Sequence, residues 1–147
     1  MSERQVLQRK TSLAAAVLMI ISLLTGIFVS AAMTGKVNAD AHSALASHLN
    51  ALLGSLWVIA VGFTLPFLRY SVVGCRRLVV LTVVSNVSNW LITAIKAFWH
   101  VAGVDATGEG RNDTIFGLLT AFVVLPSLAA AVAWAYGLSG SPPAGQS

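Results

Sequence analysis

The chain has 147 residues, of which 56% are hydrophobic and 10% charged. A soluble domain carries roughly 25% charged residues, so this is the composition of a membrane protein, long enough for one small helical bundle. The net charge of +4 comes from basic residues at segment ends, and a nucleic-acid partner is excluded because no dense basic face is present. The single cysteine, Cys75, rules out an internal disulfide or a multi-cysteine metal site and reads as a free thiol.

The order of segments predicts an all-α, integral-membrane four-helix bundle in one domain, residues 1–138, followed by a disordered Ser/Gly/Pro tail, 139–147. A polar, basic start (Arg4, Arg9, Lys10) precedes span 1, Leu13–Met33. Its apolar run of about 20 residues exceeds a signal-peptide core, so it reads as a retained helix. It is rich in small residues, Gly26 among them, that let helices approach closely. A polar connection, Lys36–Ala46, leads to span 2, His48–Leu68, which Pro66 kinks near its end. The loop Ser71–Cys75 and Arg76-Arg77 precede span 3, Leu78–Trp99. A glycine-containing loop, Val101–Asn112, follows, with Asn112 or Asp113 as the cap of span 4, Thr114–Leu138, which Pro126 interrupts. The basic residues cluster at the N-terminus and in the second loop, so the positive-inside rule puts both termini in the cytoplasm. The expected location is a bacterial inner membrane.

Span 3 carries the most informative pattern. At about 100° per residue, Thr82, Ser85, Asn86, Asn89, Thr93, Lys96 and His100 fall within an arc of roughly 100°. A polar stripe in a bilayer is costly and should face protein, water or a ligand. Interhelical packing bonds explain one such asparagine; a lined cavity is the better account of the whole stripe. Lys96, near the outer end, snorkels to the interface, acts as an acid, or holds a carboxylate such as Asp113 or a haem propionate.

A second group, His42, His48 and Asn50, sits at the mouth of span 2. His48 lies just inside the apolar run, and Leu52, Ser55, Ile59 and Gly62 continue its face. Spacing leaves two readings for it, a metal or axial haem ligand and an interfacial histidine. Trp57 and Trp90 lie deep enough to wall an aromatic ligand or simply to pack. Walker, dinucleotide and nucleophile-elbow motifs are absent, as is HExxH.

Several strings resemble small bacterial membrane isomerases: HLNALLGSLW (His48–Trp57), VIAVGFTLP (Val58–Pro66), SNVSNWL (Ser85–Leu91) and AGVDATGEGRNDTIFGLLTAF (Ala102–Phe122). The resemblance spans about Ala41 to Leu138 and involves two related families. Hydroxylaminobenzene mutase, the nearer by HLNALLG and the third loop, moves the hydroxyl of an aryl hydroxylamine from nitrogen to the ortho carbon. Styrene oxide isomerase rearranges an aryl epoxide to an aldehyde with haem b at a subunit interface. The resemblance implies a homotrimer, haem b with His48 as axial ligand (His42 as the alternative), and a small aromatic substrate met with in nitroaromatic degradation. It puts a family asparagine on Asn89. The expected catalytic groups are then Asn86, Asn89, Asn50 and Thr93; Trp57, Trp90 and Ser85 would contact substrate, and Lys96 and His100 would border the cofactor. Two positions depart from the epoxide isomerase: its helix-3 tyrosine falls on Thr93 and its helix-2 asparagine on Gly54.

Overall fold

The computed structural model describes residues 2–140, so nearly all of the expected disordered tail, 139–147, lies outside the described residues. Four helices, each long and apolar enough to cross a membrane, account for the described chain: α1 (Glu3–Met33), α2 (Ala41–Thr64), α3 (Val72–Trp99) and α4 (Gly110–Leu138). Among the described residues there is no strand.

Each helix begins earlier than the apolar runs predict. Hydropathy sees only the segment that suits hydrocarbon, whereas caps set the first turn. Ser2 caps α1 in a reciprocal box with Gln5, so the polar stretch through Lys10 is helical. Asp40 caps α2 by accepting from the Ser43 N–H at 2.8 Å, which puts His42 on the helix rather than in the connection. Ser71 caps α3. Glu109 caps α4, accepting from the N–H groups of Arg111 and Asn112. Asn112 and Asp113, the expected caps, turn back instead to hold the preceding loop. Asn112 accepts from Gly103 N–H at 2.7 Å and donates to the Asp105 carbonyl at 2.8 Å; Asp113 accepts from Thr107 and Gly108 N–H at 2.8 and 3.0 Å.

The two prolines within the spans, Pro66 and Pro126, act where the sequence puts them. Before Pro66 the α-helix ends at Thr64 and tightens into a 3₁₀ turn, Leu65–Phe67. Before Pro126 the fourth helix widens into a π turn, Thr120–Val124, which absorbs the missing N–H without breaking the span.

α1 packs along α2, α2 along α3, and α4 against α3, while α1 meets α3 only sparsely. The buried row of α1 runs Leu7, Thr11, Ala15, Leu18, Ser22, Thr25, Val29, Ala32. Those steps of three and four residues keep one narrow face on its neighbours. Between apolar helices in lipid this packing rests on close van der Waals contact, with interhelical hydrogen bonds adding about 0.6 kcal/mol each.

The end where α1 begins and α4 finishes is tied tightly. Arg4 is buried, and its guanidinium donates to the carbonyls of Leu65 (3.1 Å), Pro66 (3.4 Å), Leu68 (3.4 Å) and Tyr70. These acceptors lie at and beyond the end of α2, where helical partners run out; the Leu65 carbonyl also accepts from the Leu68 N–H at 3.4 Å. Tyr70 then donates its hydroxyl to the Ala133 carbonyl at 2.7 Å, and the Arg69 N–H bonds the Gly137 carbonyl at 3.0 Å. One loop thus fastens α1, α2 and α4 together.

Candidate functional site

α2 is the centre of the site, because its two sides hold different chemistry. One side faces α3. There Asn50 donates through Nδ2 to Asn89 Oδ1 and to Thr93 Oγ1, both at 3.1 Å. These bonds leave Asn50 Oδ1 as a free acceptor and Asn89 Nδ2 as a free donor. Asn50 and Asn89 are half-buried and Thr93 is buried. The cluster is neutral, held between two helices, and offers one donor and one acceptor.

One turn deeper the stripe changes character. Asn86 donates to its own helix at the Thr82 carbonyl (2.8 Å), and Ser85, fully buried, does the same at 3.1 Å. The Asn86 carbonyl oxygen fills the space opposite Gly54, where a Cβ would lie 2.7 Å from it. Gly54 is therefore what lets α2 and α3 close over Asn86. Thr82, Ser85 and Asn86 form the packed end of the stripe; in its middle Asn89 is half-buried and Thr93 is as buried as Asn86.

The other side of α2 faces α1. His48 is half-buried there, with Nδ1 2.8 Å from the Ser22 carbonyl, while Ser22 Oγ donates to the His48 carbonyl at 3.0 Å. A carbonyl only accepts, so Nδ1 bears the proton and Nε2 of the neutral ring keeps its lone pair. Gly26 lies beside the ring, and a Cβ there would sit 3.6 Å from Cε1. A backbone carbonyl on Nδ1 is the usual way a ligating histidine is oriented, so the chemistry of this donor suits an axial haem ligand. Nothing in the sequence named Ser22 as the partner. Its place in the three-and-four repeat of α1 was the available signal.

The group expected at the mouth of span 2 separates. Asn50 joins the stripe, His48 turns to α1, and His42 joins Lys96, His100, Asp40 and Ser43 around an open depression of about 580 Å³. Hydrogen bonds from the Ser43 hydroxyl and N–H hold the Asp40 carboxyl below the usual carboxylate range, with a weaker pull from His42 and His100. His100 does not continue the helix: it is the C-cap of α3, with φ of 53°. Lys96 does not reach Asp113, whose carboxylate is occupied by the Thr107 and Gly108 N–H groups.

The two tryptophans belong to different walls. Trp57 packs on the core of Val61, Leu65 and Leu78. Trp90 turns toward α1, donates to Thr25 Oγ1 at 3.0 Å, and lines a groove of about 400 Å³ with Phe28 and Phe98.

These features define a small multi-pass membrane protein whose polar groups converge inside its helices. The family model for styrene oxide isomerase matches residues 7–139, and the chain belongs to that family, a family of isomerases. No curated protein and no solved structure matches it. Of the two families resembled in sequence, the match is thus to the epoxide isomerase; the mutase assignment is finer than it reaches.

Proposed function

We propose that this isomerase acts on aryl hydroxylamines, converting hydroxylaminobenzene to 2-aminophenol by a Bamberger-type transfer of the hydroxyl from nitrogen to the ortho carbon. The observation that carries this reading is the Asn50–Asn89–Thr93 cluster. It presents neutral amides and a hydroxyl, and no phenol. The chain's two tyrosines, Tyr70 and Tyr136, sit together at the opposite end, their rings 6.3 Å apart. A site that donates through Asn89 Nδ2 and accepts at Asn50 Oδ1 matches a substrate N–OH group, which both accepts and donates.

The residues present also fit haem b, with His48 as the ligand through Nε2 and Ser22 orienting the ring. Bound there, haem would supply a Lewis acid; because His48 and the Asn50–Asn89–Thr93 cluster lie on opposite sides of α2, the two would serve one substrate across a subunit interface of the proposed trimer. The chain's own part is positional. Asn50 and Asn89 hold the polar group, and the closed α2–α3 face below them, sealed by Asn86 against Gly54, keeps bulk water away. Water would otherwise compete to give the para product. A homotrimer, and termini on the cytoplasmic side, belong to the same proposal; the first rests on the family, the second on Arg4, Arg9, Lys10, Arg69, Arg76 and Arg77.

The test is product analysis in oxygen-18 water. Purified protein given phenylhydroxylamine should yield 2-aminophenol with unlabelled hydroxyl oxygen, and its Soret absorbance should be lost in His48→Ala. Extensive label in the ring hydroxyl would contradict intramolecular transfer. An aryl epoxide isomerase is the second reading, favoured by the family match itself.

A further inference from the structure

Because α1 and α3 touch only sparsely, a groove runs between them from the end where both helices begin. Lys10 of α1 and Arg76 of α3 line its mouth, a depression of about 610 Å³ walled by Leu7, Val79 and Val80. Glu3 lines the same depression. It is two turns nearer the start of α1 than Lys10, roughly 10 Å along the axis. Lys10 and Ala14 also line a second depression of about 350 Å³, which carries the groove inward past Val83 to Ile21 and Val87. Arg77 stays out of the mouth and lines a separate depression with Arg76 and Val84.

Along the membrane normal the groove therefore reads acid, then two bases, then an unbroken apolar wall. That order is the complement of one molecule. A phosphate level with Lys10 and Arg76 puts an acyl chain against Ala14, Val83 and Ile21, and points the headgroup toward Glu3. A carboxylate in that position favours a headgroup with a cation that donates hydrogen bonds. We propose that the α1–α3 groove is a binding site for phosphatidylethanolamine, its phosphate between Lys10 and Arg76 and its ammonium on Glu3.

The phosphate contacts are shared by every phospholipid, so the selectivity lies in Glu3. Phosphatidylglycerol offers that carboxylate no cation, and phosphatidylcholine offers a cation without N–H donors. The site does not depend on which aromatic substrate the enzyme takes.

Native mass spectrometry of the full-length, detergent-purified protein tests this, with equimolar phosphatidylethanolamine, phosphatidylglycerol and phosphatidylcholine of identical acyl chains. The wild type should retain phosphatidylethanolamine about fivefold over each of the others, the ratio an exposed ion pair supports. Glu3→Gln should bring phosphatidylethanolamine down to the level of phosphatidylglycerol, since Ser2 and Gln5 still cap the helix. Lys10→Gln with Arg76→Gln should lower retention of all three. Equal retention of phosphatidylglycerol or phosphatidylcholine by the wild type would overturn the proposal, as would an unchanged preference in Glu3→Gln or no retained lipid at all.

Discussion

The two ends of the bundle are built on different principles. At the end where α1 begins and α4 finishes, one buried guanidinium gathers the carbonyls of the proline turn and the loop after it, and Tyr70 and Arg69 fasten the same loop to α4. At the other end the helices are joined by capping residues and a loop folded around Asn112, and the side chains of His42, Lys96 and His100 surround an open depression. The candidate site lies between, with Asn89 and Thr93 on the side of the open end and the packed Asn86–Gly54 contact on the other. The contrast teaches that the tight ties are concentrated on one side of the site and the open depression on the other.

Removing the lock should have the largest effect. Arg4→Met leaves several acceptors at the end of α2 without their charged donor, and should cost about 3 kcal/mol in detergent unfolding, since hydrogen bonds to charged groups are worth roughly 1.5–3 kcal/mol. A change below about 0.5 kcal/mol, the range of an ordinary surface substitution, would mean the two ends do not differ as described.

Asn112→Ala attacks the open end. It removes the bonds to Gly103 and Asp105, so the loop before α4 should become several-fold more sensitive to protease. The unfolding midpoint should fall much less than in Arg4→Met, because local opening there does not involve the core. Equal losses in the two variants would erase the distinction.

The smallest effect concerns Asp40. Its carboxyl titrates lower in the folded protein than in the unfolded chain. Its contribution is therefore complete above the unfolded value, about 3.9, and is lost as pH falls through the lower folded value. Asp40→Ala should lose a cap worth about 1 kcal/mol or less at neutral pH. The difference from wild type should shrink below about pH 4, as unfolding measured across pH would reveal.

The four spans were legible because a run of about 20 apolar residues has few other uses. The stripe on α3 was legible because its polar residues recur at helical spacing, and the face of His48 because Ser55 and Gly62 repeat it. Ser55 does meet α1, at Met19, and Gly62 lies against Thr11. Periodicity names a face but not the neighbour opposite, so the Ser22–His48 pair did not follow from it, although a spacing of two puts Asn50 and His48 on opposite faces of α2. Arg4 read only as a topogenic charge, because its acceptors are backbone carbonyls more than 60 residues away in the chain. Depth alone left Trp90 as a ligand wall or a packing residue, and did not show that its indole N–H finds Thr25 of α1.

The most direct test compares two substrates on the same purified protein. Phenylhydroxylamine should be converted to 2-aminophenol faster than styrene oxide is converted to phenylacetaldehyde, and Asn89→Leu should lower the first rate about a hundredfold, the scale of losing one oriented donor in a water-excluded site. Faster turnover of styrene oxide, or full hydroxylamine activity in Asn89→Leu, would contradict the account.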